Sequence, residues 1–374
     1  MTSERPPVPP SSASEARNGL IAVERAVADL RSGRPILLEA GGARGLVIGA
    51  EALDAESAAV LAAASPLRGR LALPGPRLSR IGAHRPLPGT LALPGIDPAR
   101  VAMLALQIDA RLDAPVSPAD PLDVAALELL RIALLLPAAV VAPVDPDATF
   151  ADLLFVADGD ILAFRGRQAK ALRIVGRAPV PLEGAPETEF IVFRGGEGLR
   201  DQVAIIVGKP DLSGTVPVRL HSACLTGDLF GSLKCDCGDQ LRDTVARMAE
   251  GSGGILLYLD QEGRGNGIAN KMRAYGLQAQ GYDTYDADEV LGFGLDQRRF
   301  DFAAEMLRQL GVAKVQLITN NPEKIAALRA SGLEVAAEQR VLGRHTKENA
   351  RYLASKRDRA GHFIEAESAA NGTD

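Results

Sequence analysis

All three cysteines of this 374-residue chain, Cys224, Cys235 and Cys237, lie in one short stretch, VPVRLHSACLTGDLFGSLKCDCGDQ at residues 216–240. A chain that gathers its only thiols this way is constrained to hold that stretch in one fixed local shape. Three thiolates at one place form a soft donor set suited to tetrahedral zinc, with a fourth position open for water. The competing reading is a structural zinc clip closed by another ligand such as His221. Closed knuckles more often carry two CxxC pairs, and the spacing here is C-x10-C-x-C with no fourth cysteine. An odd, clustered cysteine count does not make a disulfide framework and fits a reducing cytosol.

Length then suggests two domains with sizeable cores. The net charge of −5 argues against a general nucleic-acid binder, while leaving room for a local basic pocket. The N-terminal run MTSERPPVPPSSASEARN is polar and has neither the apolar core of a signal peptide nor an anchor. The longest apolar stretch, 132–144, is interrupted by Pro137 and is too short for a bilayer, so it reads as a buried element. The expectation is a soluble, cytoplasmic protein with no nucleic-acid or membrane partner.

The predicted organisation is a disordered tail over 1–18, a first domain over 19–175, a second over 176–365 and a second tail over 366–374. Both domains read as mixed α/β (α+β). In the first, a helix from residue 19 stops at Gly33, RPILLEA is a strand, GGARG is a turn before a second strand, and Asp54 caps a helix. Residues 66–98, rich in Pro, Gly and Arg, read as loops. VAMLALQID at 101–109 reads as a strand, PLDVAALELLRIALLL as a helix and 151–164 as a hairpin across Asp158-Gly159. His84, beside Pro and Arg, reads as a solvated loop residue. GGARG reads as a hairpin or strand–helix connection more readily than as a phosphate turn, because no GxGxxG or Lys-Ser/Thr pattern accompanies it.

In the second half, GRAPVPLEGAPETEF reads as a linker or entry segment, IVFR and VAIIVG as an antiparallel pair, and VPVRLHSACL as the strand that delivers the first cysteine. DQLRDTVARMAEG is a helix, GGILLYL a strand, and DQEGRGNG a polar turn. Helices follow over IANKMRAYGLQAQG and 296–311. KVQLITNN is a strand, and Asn321-Pro322 caps the next helix. LEVAAEQRVL is a strand and TKENARYLASKRDRAGH a terminal helix. Glu262 and Arg264 sit in a loop after a strand, as substrate contacts or a charged turn. Asp296 and Arg298 open a helix, where an acid also serves as a plain cap. Thr319, Asn320 and Asn321 lie before a helix N-terminus, a natural anion site, and Lys324 in its first turn opposes the dipole unless an anion is bound.

RLHSACLTGDLFGSLKCDCGDQL, QEGRGNGIANKMRAYGLQAQGYDT, LGFGLDQRRF and LITNNPEK, in this order, resemble GTP cyclohydrolase II over about residues 185 to 363. The resemblance implies zinc on Cys224, Cys235 and Cys237, and GTP contacts at Arg219, Leu220, His221, Ser222, Ala223, Gln240, Glu262, Gly263, Arg264, Thr284, Thr319 and Lys324. It implies Asp296 as general base, Arg298 at the α-phosphate as nucleophile or electrostatic stabiliser, and Tyr275 in ring opening. It also implies magnesium with the triphosphate and a homodimer. Zinc lowers the pKa of bound water towards ~7, which suits hydrolysis at the guanine imidazole ring. The implied products are 2,5-diamino-6-ribosylamino-4(3H)-pyrimidinone 5′-phosphate, formate and diphosphate, the first step towards riboflavin. Two positions depart from the family pattern: Ala223 stands where HSEC has Glu, and Asp260 adds negative charge before QEGR. They keep open a related ring or purine nucleotide as substrate; a non-catalytic zinc-stabilised module is the other alternative, by analogy with a decayed first half.

AVERAVADLRSGRPILLEA and GLVIGAEALDAESAAVLAA resemble the start of 3,4-dihydroxy-2-butanone 4-phosphate synthase. Where that family carries an acidic, magnesium-binding run, this chain has EAGGARG with only Glu39. The first half therefore reads as a degenerate copy with a structural or interaction role.

Overall fold

The computed structural model describes residues 12–66 (12–16 as backbone), 68–195, 201–294, 297–341, 343, 344, 346, 349, 354 and 357–364. The chain divides into two compact units, Met1–Arg167 and Gln168–Asp374. Each contains one seven-stranded sheet.

The strands of the first unit are β1 (Ile36–Ala40), β2 (Ala43–Gly49), β3 (Gly69–Leu73), β4 (Gly89–Leu93), β5 (Ser117–Pro118), β6 (Ala139–Val144) and β7 (Phe155–Ala157). They run in the order β5-β4-β3-β6-β2-β1-β7. Only the β1–β7 pair is parallel among those described. Successive side chains of β1 alternate between two cores. Ile36 and Leu38 pack with Leu30, Leu122 and Val141 on one face, while Leu37 packs with Ile48, Leu71 and Val140 on the other. GGARG is a β-hairpin turn, with Ala40 paired to Ala43 and both glycines between them at positive φ (58° and 79°). A two-residue turn of this kind requires that conformation.

Several sequence expectations are corrected here. The first helix spans Ser12–Arg31, so it starts inside the segment expected to be a tail. Its buried residues Val23, Ala26, Val27 and Leu30 form a single apolar stripe. Residues 66–98 contain β3, a helix at Gly75–Ile81 and β4. The Pro and Gly there punctuate elements, with Pro74 as N-cap and Gly82 as a left-handed C-cap. VAMLALQID belongs to the helix Pro98–Leu106, opened by the Asp97 cap and by Pro at its first turn. Asp158-Gly159 starts a helix, Asp158–Lys170, with acids suited to its first turn.

The second unit contains β8 (Arg173–Pro179), β9 (Thr188–Arg194), β10 (Gln202–Val207), β11 (Val216–Ser222), β12 (Gly254–Leu259), β13 (Lys314–Ile318) and β14 (Glu334–Gln339). Its order is β14-β13-β11-β12-β10-β9-β8. The four strands from β14 to β12 are mutually parallel, and the remaining pairs are antiparallel. The expected linker after residue 176 is in part the edge strand β8. Val216, Val218 and Leu220 of β11 enter one core with Phe302 and Leu307. The alternating residues Arg219 and His221 point to the opposite face, where the helix Cys237–Glu250 packs. The helix expected over 296–311 is shorter, Asp301–Gln309. Asp296 lies outside the described residues, as does about half of the expected terminal helix, of which Ala354 and 357–360 are helical. Among the described residues no helix is long and apolar enough to cross a membrane.

Candidate active site

β11, β12 and β13 end side by side at Ser222, Leu259 and Ile318. Parallel strands leave a crevice beyond their carboxyl ends, because each chain turns away there into its next segment. Those next segments carry the chemistry: Ala223-Cys224, Gln261 to Arg264, and Thr319 to Lys324. They line a cleft with two lobes, of about 600 Å³ and about 760 Å³.

The first lobe holds the thiols. The sulfur atoms of Cys224, Cys235 and Cys237 lie within 4.8 Å of one another, with Cys224 and Cys235 only 3.6 Å apart. Gly227 makes this approach feasible, since a Cβ there would sit 2.6 Å from the Cys235 sulfur and 3.0 Å from that of Cys224. Hydrogen bonds from Cys235 and Cys237 hold the Cys224 thiol far below its ordinary range, with Lys271 adding to the effect. Donation to Cys224 pushes Cys235 up to about 11. A soft, converging donor set with one readily formed thiolate fits zinc.

Lys271 comes from the helix Gly267–Ala279. Its Nζ donates to Cys224 Sγ at 3.1 Å and to Glu262 Oε1 at 2.7 Å. Burial would depress its ammonium group, but Cys224, Tyr275 and Glu262 together raise it. Glu262 also accepts from the backbone N–H of Leu225 at 2.6 Å, so it ties the thiol loop to the turn after β12. Tyr275 lines the same lobe, and burial pushes its hydroxyl up to about 12, so it is a proton donor at neutral pH. Behind the thiols, Asp228 accepts from Cys224 N (2.9 Å) and from the Tyr258 hydroxyl (3.0 Å), and its other contact is His221 Nε2 at 3.0 Å. Burial holds His221 below its ordinary pKa, with Asp228 opposing. Its ring is therefore neutral at pH 7.

The second lobe is cationic. Arg219 is 6% exposed and Lys324 is 7% exposed, and both line it. Arg219 donates to Gln240 Oε1 at 2.6 Å and to the Ile318 carbonyl at 3.3 Å. Burial lowers it to about 10, still cationic at neutral pH. Lys324 Nζ donates to the Leu220 carbonyl at 2.6 Å. Leu220 thus contributes its backbone, while its side chain is in the core. Thr319 Oγ1 accepts from Asn321 N at 3.0 Å, and Asn321 caps the helix Pro322–Ala330.

Ser222, Cys237, Arg264, Thr284 and Arg298 line both lobes. Arg264 has a left-handed backbone (φ 59°), as does Gly263 (φ 60°). That conformation is uncommon for a residue with a Cβ. It delivers the guanidinium to Asp288 Oδ2 (2.5 Å), the Thr284 carbonyl (3.1 Å) and the face of Tyr285 (4.4 Å). Arg298 Nη1 donates to Ser222 Oγ at 3.4 Å. Ala223 lines the thiol lobe and donates its N–H to the Leu259 carbonyl at 2.7 Å, so this backbone contact is independent of its side chain. Asp260 lines neither lobe, and its N–H donates to Gln202 Oε1 at 2.7 Å.

Sequence reasoning missed Lys271, Asp228, Tyr258, Tyr285, Asp288 and His362. Lys271 precedes the RAY segment by two positions and faces the same lobe one helical turn from Tyr275. That spacing was an available signal. Nothing in the sequence pairs Asp228 with Tyr258.

The GTP cyclohydrolase II family model matches residues 173–340. The chain is 48% identical over 353 residues to a GTP cyclohydrolase-2 of Xylella fastidiosa (strain Temecula1 / ATCC 700964), covering 93% of this chain and 88% of that one. A GTP cyclohydrolase-2 of Vibrio cholerae is 46% identical over 179 residues, which is 48% of this chain and 90% of the relative. A solved two-domain 3,4-dihydroxy-2-butanone 4-phosphate synthase from A. baumannii is 18% identical, with a TM-score of 0.32, covering 86% of this chain and 99% of that one. At that score the likeness carries no argument. On the extent and level of the Xylella match, with the family model lying over the sheet that bears the thiols, the chain belongs to the GTP cyclohydrolase II family.

Proposed function

We propose that the second unit hydrolyses GTP, with zinc, to 2,5-diamino-6-ribosylamino-4(3H)-pyrimidinone 5′-phosphate, formate and diphosphate, the entry step of riboflavin biosynthesis. The observation that carries this reading is the two-lobed cleft: a three-thiol lobe and a cationic lobe share a wall containing Arg264 and Arg298. Such a site suits a molecule with a ring to be hydrolysed at one end and several phosphates at the other. The Vibrio relative, matched over 90% of its length by under half of this chain, supports assigning the activity to one unit.

Cys224, Cys235 and Cys237 would hold the zinc, which when bound supplies Lewis-acid activation of water for attack on the guanine imidazole ring. Lys271 offsets the charge of the thiolates, and Glu262 fixes Lys271 and the Leu225 backbone. Tyr275, protonated at neutral pH, donates to the opening ring. Asp296 serves as general base, the role the family resemblance implies for it. Arg219, Lys324 and Arg298 bind the phosphates through charge-assisted hydrogen bonds. A guanidinium stays protonated, so Arg298 stabilises charge at the α-phosphate and does not act as a nucleophile. Magnesium, if carried by the triphosphate, would supply charge neutralisation of the leaving diphosphate, and Asp236, the one carboxylate among the described residues lining this lobe, which accepts from Gln240, is the residue that would meet it.

The first unit has a structural role in this reading. Glu39, alone where the synthase family has an acidic run, is spent on Arg44 at 2.5 Å. The test is zinc-loaded protein with GTP and magnesium, formate and diphosphate being assayed separately. Both are released, and Asp296→Asn or Tyr275→Phe slows formate release by about a hundredfold or more. Absence of both products overturns the reading.

A further inference from the structure

The cationic lobe has a wall that comes from beyond the family match, which ends at residue 340. His362 and Ile364, near the C-terminus, line it together with Arg219, Thr319 and Lys324. This wall is tied down on two sides. On one side, Phe363 donates its N–H to the Asn320 carbonyl at 3.0 Å, at the end of β13. The Arg340 guanidinium packs over the Phe363 ring at 3.7 Å. On the other side, Arg359 donates to Asp283 (3.0 Å), Asp286 (2.8 Å) and Glu289 (3.3 Å) on the helix Thr284–Val290 and its cap. Thr284 and Tyr285 of that helix also line the lobe. Arg359 lies 5.5 Å from the Tyr285 ring, which Arg264 also contacts.

Two independent ties, one polar and one aromatic, thus hold a short segment across the lobe with an imidazole on its inner side. Arg359 is surrounded by three carboxylates, so its charge is committed to position and not to ligand. A neutral or charged imidazole presents at least one N–H donor, and His362 lines a lobe that also carries Arg219, Arg264, Arg298 and Lys324 against one carboxylate among the described residues, Asp236, a setting for phosphate oxygens.

We propose that residues 359–364 form a substrate-binding wall, in which His362 contacts the phosphate chain of the substrate and Arg359 and Phe363 are positioning residues. The ligand class rests on the GTP reading above.

The test uses the full-length, zinc-loaded protein with magnesium. Calorimetry measures binding of GTP and of inorganic triphosphate, and formate release gives kcat and KM. His362→Ala weakens both ligands about tenfold, or about 1.4 kcal/mol. It raises KM for GTP by the same factor and leaves kcat within about twofold. His362→Gln, which keeps a donor, recovers part of the loss. Arg359→Gln and Phe363→Ala weaken binding less, and add little to His362→Ala, because they act through it. Triphosphate binding unchanged in His362→Ala or His362→Gln, at wild-type zinc content and unfolding midpoint, overturns the proposal. So does a fall in kcat with KM unmoved. Protein whose triphosphate binding depends on His362 but which releases no formate from GTP upholds the wall and refutes the GTP reading.

Discussion

Among the described residues each unit buries one arginine, and the two make opposite use of it. Arg77, in the first unit, is 1% exposed and Arg219, in the second, 6%; burial lowers each to about 10. Arg77 donates to the carbonyls of Leu104 and Gln107 at 2.9 and 2.6 Å, satisfying the end of the helix Pro98–Leu106. Arg219 donates to Gln240 and the Ile318 carbonyl, and its Nε has no partner among the described residues. It lines the 760 Å³ lobe. The topology explains the contrast. Antiparallel pairing dominates the first sheet, so adjacent strands there present no common carboxyl end. The parallel strands of the second leave a crevice at one end, where a buried cation can face a ligand. Equal burial and equal sheet size therefore do not mean equal purpose; the partners left over decide.

The largest effect should come from the thiols. Cys237→Ser removes a donor and lowers zinc content and formate release by about a thousandfold, and Gly227→Ala does likewise by pushing a methyl into two sulfur atoms. Metal analysis and a formate assay check both. Next, Arg219→Met raises KM for GTP about a hundredfold, as expected when a buried charge that pairs with an anion is removed, with little loss of stability. Arg77→Met gives the reverse, a loss of about 2–3 kcal/mol in urea unfolding with kcat and KM within twofold. If the two variants behaved alike, the contrast would fail. The smallest effect concerns His221, flanked by Asp228, Arg219 and Lys324. Its folded pKa lies below the unfolded ~6.5, so the unfolded state binds the proton first. Stability from this group is full above pH ~6.5 and is lost as pH falls below it. His221→Gln should show a shallower decline between pH 7 and 5 than the wild type, measured by the urea midpoint.

Much of the second sheet was legible, because β11 and β12 are short apolar runs that end in polar motifs. The thiols were legible because they are close in sequence. Elsewhere the local signal was ambiguous. VAMLALQID is apolar without a clear period, and the decisive cue was the Asp97-Pro98 start, not the run itself. The helix Thr284–Val290, capped by Asp283, was overlooked for want of an apolar face long enough to show periodicity. Lys271 reaches Cys224 across 47 positions, and His362 reaches the lobe from near the chain end. Helical spacing could have put Lys271 on the Tyr275 face, but which thiol it meets, and that His362 enters the lobe, are set by how the sheet is threaded.

β11 is hydrogen-bonded in parallel on both sides, to β12 and β13, and its residues alternate between core and cleft. Deleting or inserting one residue there would send Arg219 and His221 into the hydrocarbon core and turn Leu220 out. In descendants of this chain the segment is held in length as well as in composition, so gains and losses of residues should accumulate in the connections around it.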